Sequence, residues 1–134
     1  MTPLTTDIST WHVLAIDDKR DNLKLLVTML LSWGACVTAT ENPERGLALL
    51  DECKPNLILL DLAMPGINGW EIQRRLRQQP QLSHIPIIAL TALAMQEDID
   101  KALSAGFDGY ITKPYRVDSL REQLINSVSA FVPH

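Results

Sequence analysis

Short aliphatic runs alternate along this chain with longer stretches in which apolar residues recur every three or four positions. Residues 12–17 (HVLAID) form a β-branched and aliphatic run that stops abruptly in acids, the pattern of a short strand. Leu23, Leu26, Val27, Leu30 and Leu31 then keep the spacing of an amphipathic helix, which Gly34 closes. A second strand is predicted at 35–40. Asn42 and Pro43 look like an N-cap with proline at the first helical position, opening a helix that turns Leu47 and Leu50 inward. Residues 56–61 (NLILLD) are nearly all aliphatic, as a strand buried on both faces should be. A helix over about 67–78 follows, with Ile72 and Leu76 on its core side. The spacing then predicts a strand at 85–90, a helix at 94–105 and a strand at 108–112. A last helix is striped by Val117, Leu120, Leu124, Val128 and Phe131.

Five strands alternate with five helices, and the connections are too long for hairpins. Right-handed βαβ crossovers and a doubly wound parallel sheet follow, in the α/β class. One topology with that count is the flavodoxin-like (βα)5 order 2-1-3-4-5. The 134-residue length suits one domain, read as residues 11–134 behind a loose, Thr/Ser-rich tail at 1–10. No repeat or low-complexity tract interrupts it.

Charge and composition narrow the function. Twelve Lys and Arg against sixteen Asp and Glu leave a net charge of −4, a poor basis for nucleic-acid binding through phosphate contacts. No apolar run is long enough to span a bilayer, and the start has neither the basic stretch nor the apolar core of a signal peptide. Cys36 and Cys53 form no C-x-x-C, so reduced thiols are expected. The expectation is a soluble, cytoplasmic domain with no membrane and no nucleic-acid partner. His12, His84 and His134 stand at or beyond element edges without metal-ligand spacing. Trp33 and Trp70 read as packing residues, and Gly66 and Gly69 as turn residues.

In such sheets ligands bind outside the carboxyl ends of the strands. Asp17 and Asp18 end the first strand here, Asp61 the third and Thr91 the fourth, while the fifth runs into Lys113-Pro114. Carboxylates brought together repel one another unless a cation sits between them. A hard divalent ion such as Mg²⁺ takes oxygen ligands and binds through one or two carboxylates plus phosphate oxygens. Mg²⁺ beside a free carboxylate suits phosphoryl transfer, with Thr91 and Lys113 meeting the remaining phosphoryl oxygens.

Four stretches carry a family resemblance: 13–18 (VLAIDD), 59–69 (LLDLAMPGING), 87–92 (IIALTA) and 106–114 (GFDGYITKP). Together they resemble the receiver, or response regulator, domain of two-component signalling, from about Trp11 to the C-terminus. The resemblance implies that Asp61 is phosphorylated by a phosphohistidine donor, a histidine kinase or histidine phosphotransfer protein. It implies Mg²⁺, or Mn²⁺ in its place, on Asp18, Asp61 and the backbone carbonyl of Ala63, with Asp17 helping through a water. It makes Thr91 and Lys113 the phosphoryl-binding pair and Thr91 and Tyr110 the switch. It also implies a cis bond before Pro114 and a downstream protein on the face of the fourth helix, fifth strand and fifth helix. Ala63 and Leu93, which border the water route to the phosphorus in this family, are apolar and suggest slow self-dephosphorylation.

Other readings compete. A flavodoxin-type FMN carrier would need a hydroxyl-rich phosphate loop where Asp17-Asp18-Lys19-Arg20-Asp21 stands. A haloacid-dehalogenase-like phosphatase would need a second Asp where Ala63 stands, so turnover on small phosphoesters is not expected. A pseudo-receiver would lack acids or cations that are all present. The expectation is a stand-alone receiver acting as a switch or relay intermediate, the alternative being a receiver module cut from a hybrid kinase or larger regulator.

Overall fold

The structure, a computed structural model, describes residues 4–63, 68–92 and 95–131. The motif residues Met64, Pro65, Gly66 and Ile67 lie outside the described residues, as do Leu93, Ala94 and His134.

Strands β1 (His12–Ile16), β2 (Cys36–Thr40), β3 (Leu57–Asp61), β4 (Ile87–Thr91) and β5 (Gly109–Thr112) form one sheet in the order β2-β1-β3-β4-β5. Every pairing in it is parallel. Helices α1 (Arg20–Ser32), α2 (Pro43–Cys53), α3 (Gly69–Arg77), α4 (Gln96–Ser104) and α5 (Val117–Ser129) follow their strands in turn. This is the flavodoxin-like, doubly wound order. The period-two alternation of the strands divides the core. Val13, Ala15, Leu59, Ile88 and Leu90 face a layer with Leu26, Leu30, Leu120 and Leu124 of α1 and α5. Leu14, Ile16, Ile58, Leu60, Ile87 and Ala89 face the other side, with Ile72, Leu76 and Ala102 of α3 and α4. Leu47 and Leu50 of α2 pack against that second layer from a half-buried position. All residues of β3 and β4 are buried, whereas the edge strand β2 is half exposed.

The Asn42 side chain accepts from the Arg45 N–H at 3.0 Å, with Pro43 in the first turn, as the pattern predicts. Trp70 packs edge-to-face on Phe107, ring centroids 5.5 Å apart. One expectation needs correction. Leu31 is 55% exposed, and Met29 is buried in its place. Leu31 lies about 80° of helix rotation past Leu23, away from the side that Leu26 and Met29 define. Residues 4–10 lie against the end of the core. They carry a 3-10 turn at Ile8–Thr10 in which Asp7 caps the Ser9 N–H, and Ile8 is buried beside Trp11. The Trp11 indole donates to the Thr5 carbonyl at 2.7 Å, and Asn56 ties His12 to Thr10. The Thr/Ser composition hides two apolar residues that close the amino-terminal end of the core. No helix among the described residues is long and apolar enough to cross a membrane.

Candidate functional site

Parallel strands in register deliver their last residues to one edge of the sheet. Leu60 pairs with Ile16 and Asp61 with Leu90, while Thr91 pairs with Thr112, so Asp17, Asp61, Thr91 and Lys113 all emerge at the carboxyl edge. Gly69 sets how closely α3 approaches this edge. A Cβ there would stand 2.1 Å from the Asp61 carbonyl oxygen and 2.9 Å from the Leu62 Cα. The Lys113–Pro114 peptide is cis.

Asp17 is fully buried and well supplied with donors. Its Oδ1 accepts from the Lys19 N–H at 2.9 Å. Its Oδ2 pairs with Lys113 Nζ at 2.8 Å and accepts from the Tyr115 hydroxyl at 3.4 Å. Asp61, also buried, is held on one side only. Its Oδ1 accepts from the Ala63 N–H at 3.1 Å and lies 3.3 Å from Lys113 Nζ. Asp61 Oδ2 and Asp18 Oδ1 are buried with no hydrogen-bond partner. Carboxylate oxygens of Asp17, Asp18 and Asp61 lie within 4.8 Å of one another, and among the described residues no other group of His, Cys, Asp or Glu gathers so closely. Three carboxyls gather here, and the Lys113 ammonium pairs with two of them, Asp17 and Asp61.

The electrostatics follow from that imbalance. Burial pushes the Asp61 carboxyl up to about 7, and the Asp17 charge adds to the effect. The Ala63 N–H and Lys113 pull the other way without cancelling it. An all-oxygen donor set with two unpartnered carboxylate oxygens matches the preference of a hard divalent cation, so these residues fit Mg²⁺. Beside them opens a cavity of about 320 Å³ whose lining includes Lys19, Asn22, Ala63 and Ala92.

Thr91 is buried at the end of β4. Tyr110 packs its ring against the second apolar layer, and burial of its hydroxyl raises the phenol pKa despite the neighbouring Thr91 side chain. Ala63 is exposed at the cavity rim. Sequence reasoning missed Tyr115, whose hydroxyl reaches Asp17 from 98 residues away. Its place directly after Lys113-Pro114 is the signal that could have found it. The Arg77–Asp108 ion pair was missed too: it ties the end of α3 to the turn before β5, with Asp108 also accepting from the Ile87 N–H.

Known proteins resemble this chain in sequence and in fold. Residues 13–125 match the response regulator receiver domain. A 14.6 kDa protein encoded in the sodA1 3′ region of Leptolyngbya boryana is 42% identical over 119 residues, covering 89% of this chain and 88% of its own length. The polar-differentiation response regulator DivK of Brucella anthropi is 34% identical over 112 residues, covering 84% of this chain and 91% of its own. Among solved structures, the chemotaxis response regulator CheY4 of Vibrio cholerae superposes with a TM-score of 0.80 at 26% identity, over 86% of this chain and 96% of that one.

Proposed function

Because this chain belongs to the response regulator receiver domain family of two-component signalling, we propose that it is a phosphorylation-controlled switch with Asp61 as its phosphoacceptor. The observation that carries this reading is the free Oδ2 of Asp61. The opposite oxygen is fixed by the Ala63 N–H and Lys113, which orients the carboxylate and leaves one lone-pair-bearing atom unengaged.

In the proposed reaction a carboxylate oxygen of Asp61 attacks the phosphorus of a phosphohistidine. The new O–P bond forms as the P–N bond breaks, and the imidazole leaves with the electron pair of that bond. Asp18, Asp61 and the Ala63 carbonyl would hold Mg²⁺, with Asp17 contributing through a water. The ion supplies charge neutralisation for the phosphoryl oxygens. Lys113 provides a positive charge at the edge of the site and the Thr91 hydroxyl a hydrogen-bond donor. A phosphoryl group that draws the Thr91 hydroxyl toward it changes the polar surroundings of Tyr110, the second member of the switch. The donor would be a histidine kinase or a histidine phosphotransfer protein. The output face would be α4, β5 and α5. Met95, Leu103 and Val117 leave large apolar surfaces exposed there, 65%, 47% and 69% respectively, and Ala102 is the only fully buried residue of α4. Such an element is weakly anchored and free to shift.

The test is chemical. Incubation with acetyl phosphate or phosphoramidate in Mg²⁺ should add one phosphoryl mass to the intact protein. EDTA should abolish the addition. Asp61→Asn retaining it at the wild-type level would overturn the assignment.

A further inference from the structure

Tyr115 sits two residues beyond Lys113 with its ring buried in the apolar layer that also holds Leu26, Ile111 and Leu120. Packing therefore fixes where its hydroxyl points. That hydroxyl donates to Asp17 Oδ2 at 3.4 Å, while Lys113 Nζ holds the same oxygen at 2.8 Å. The first contact is long for an O–H···O bond and the second is short, so the lysine dominates as the site stands. Yet Lys113 is shared, since it also lies 3.3 Å from Asp61 Oδ1.

We propose that Tyr115 is a positioning residue, the reserve donor that keeps the Asp17 carboxylate in place when Lys113 turns to a phosphoryl group on Asp61. The inference rests on the receiver reading of the site. A phosphoryl group on Asp61 brings charge of about −1.5 to −2 within reach of the single ammonium. As Lys113 moves to meet it, Asp17 Oδ2 loses its charged partner in a fully buried position. The Lys19 N–H still holds Oδ1, but a buried carboxylate oxygen without a donor is costly, and at Oδ2 the Tyr115 hydroxyl remains, anchored independently of the lysine. Asp17 keeps its orientation toward the metal site through the change. A phenylalanine would pack in the same space and offer no donor.

The experiment compares wild type with Tyr115→Phe by calorimetric titration, first with Mg²⁺ alone and then with beryllofluoride in saturating Mg²⁺. With Lys113 still on Asp17, Mg²⁺ affinity should stay within about twofold of wild type. Beryllofluoride, which stands in for the phosphoryl group, should bind about tenfold more weakly, the loss expected for one hydrogen bond to a buried charge. In a Lys113→Ala background the hydroxyl is, among the described residues, the only side-chain donor left to Asp17. There the Tyr115→Phe change should weaken Mg²⁺ binding itself by about fivefold. Equal beryllofluoride affinity in wild type and Tyr115→Phe would overturn the inference, as would a parallel loss of both ligands, the mark of a plain packing role. Wild type that takes up no beryllofluoride in Mg²⁺ would overturn the receiver reading, and this inference with it.

Discussion

Replacing Asp61 by Asn should make the metal-free protein more stable. The carboxyl is 2% exposed and its pKa is pushed from 3.8 to about 7 by burial and by Asp17. Holding it ionised in the folded state therefore costs about 4 kcal/mol. Asn removes the charge and keeps an acceptor for the Ala63 N–H, but it buries an amide NH₂ where Oδ2 now lies, which takes back about 1–2 kcal/mol. The net gain should be about 2–3 kcal/mol at pH 8, or roughly 6–12 °C in Tm. The folded pKa lies above the unfolded one, so the folded protein retains a proton that the unfolded chain has released. Wild-type stability must then fall as pH rises from about 4 to about 7 and level off above. The advantage of Asp61→Asn should be near zero at pH 5 and complete at pH 8. Mg²⁺ should restore wild type and leave the variant largely unmoved. Urea unfolding in EDTA at both pH values, followed by the fluorescence of Trp11, Trp33 and Trp70, measures this. A variant no more stable than wild type at pH 8, or a gap equal at the two pH values, would refute the reasoning.

Three further substitutions probe the frame around the site. Gly69→Ala places a methyl 2.1 Å from the Asp61 carbonyl oxygen, so despite better helix propensity it should cost about 2 kcal/mol in urea unfolding and slow phosphorylation by acetyl phosphate. Unchanged stability and rate would mean that α3 moves away freely. Asp108→Asn takes the carboxylate partner from the Arg77 guanidinium, whose side chain is only 16% exposed and which keeps just the Leu82 and Ile85 carbonyls, and should cost about 3 kcal/mol by the same assay. A cost below about 1 kcal/mol would show that the pair is solvated. Ile8→Ala should lower stability by about 2–4 kcal/mol because Ile8 is 2% exposed, and no loss would mean that the segment is as loose as its composition suggests.

Period-two and period-3.6 patterns carried the strands and helices into view because each is a local property. The same patterns brought Asp17, Asp61, Thr91 and Lys113 together on paper, since a parallel sheet puts every strand's end on one edge. What stayed hidden depends on pairings between distant residues. Tyr115 reads as one more aromatic core residue until its hydroxyl is seen against Asp17. Gly69 reads as a turn residue, and only the approach of α3 to the Asp61 carbonyl shows what excludes a side chain. Ile8 lies among Thr and Ser residues, and its burial comes from the end of a core assembled elsewhere in the chain. Leu31 obeyed the apolar spacing and still faces solvent, because that spacing fixes a stripe only to within a turn's rotation.

The central claim is that the Asp61 carboxylate accepts the phosphoryl group. Its most direct test is to trap the acyl phosphate by borohydride reduction after phosphorylation in Mg²⁺, then locate the product by peptide mass spectrometry. Reduction converts a phosphorylated aspartate into homoserine and leaves other aspartates untouched. The account predicts homoserine at position 61 and at no other aspartate. Homoserine at position 17 or 18, or a phosphorylated protein that yields none, would contradict it.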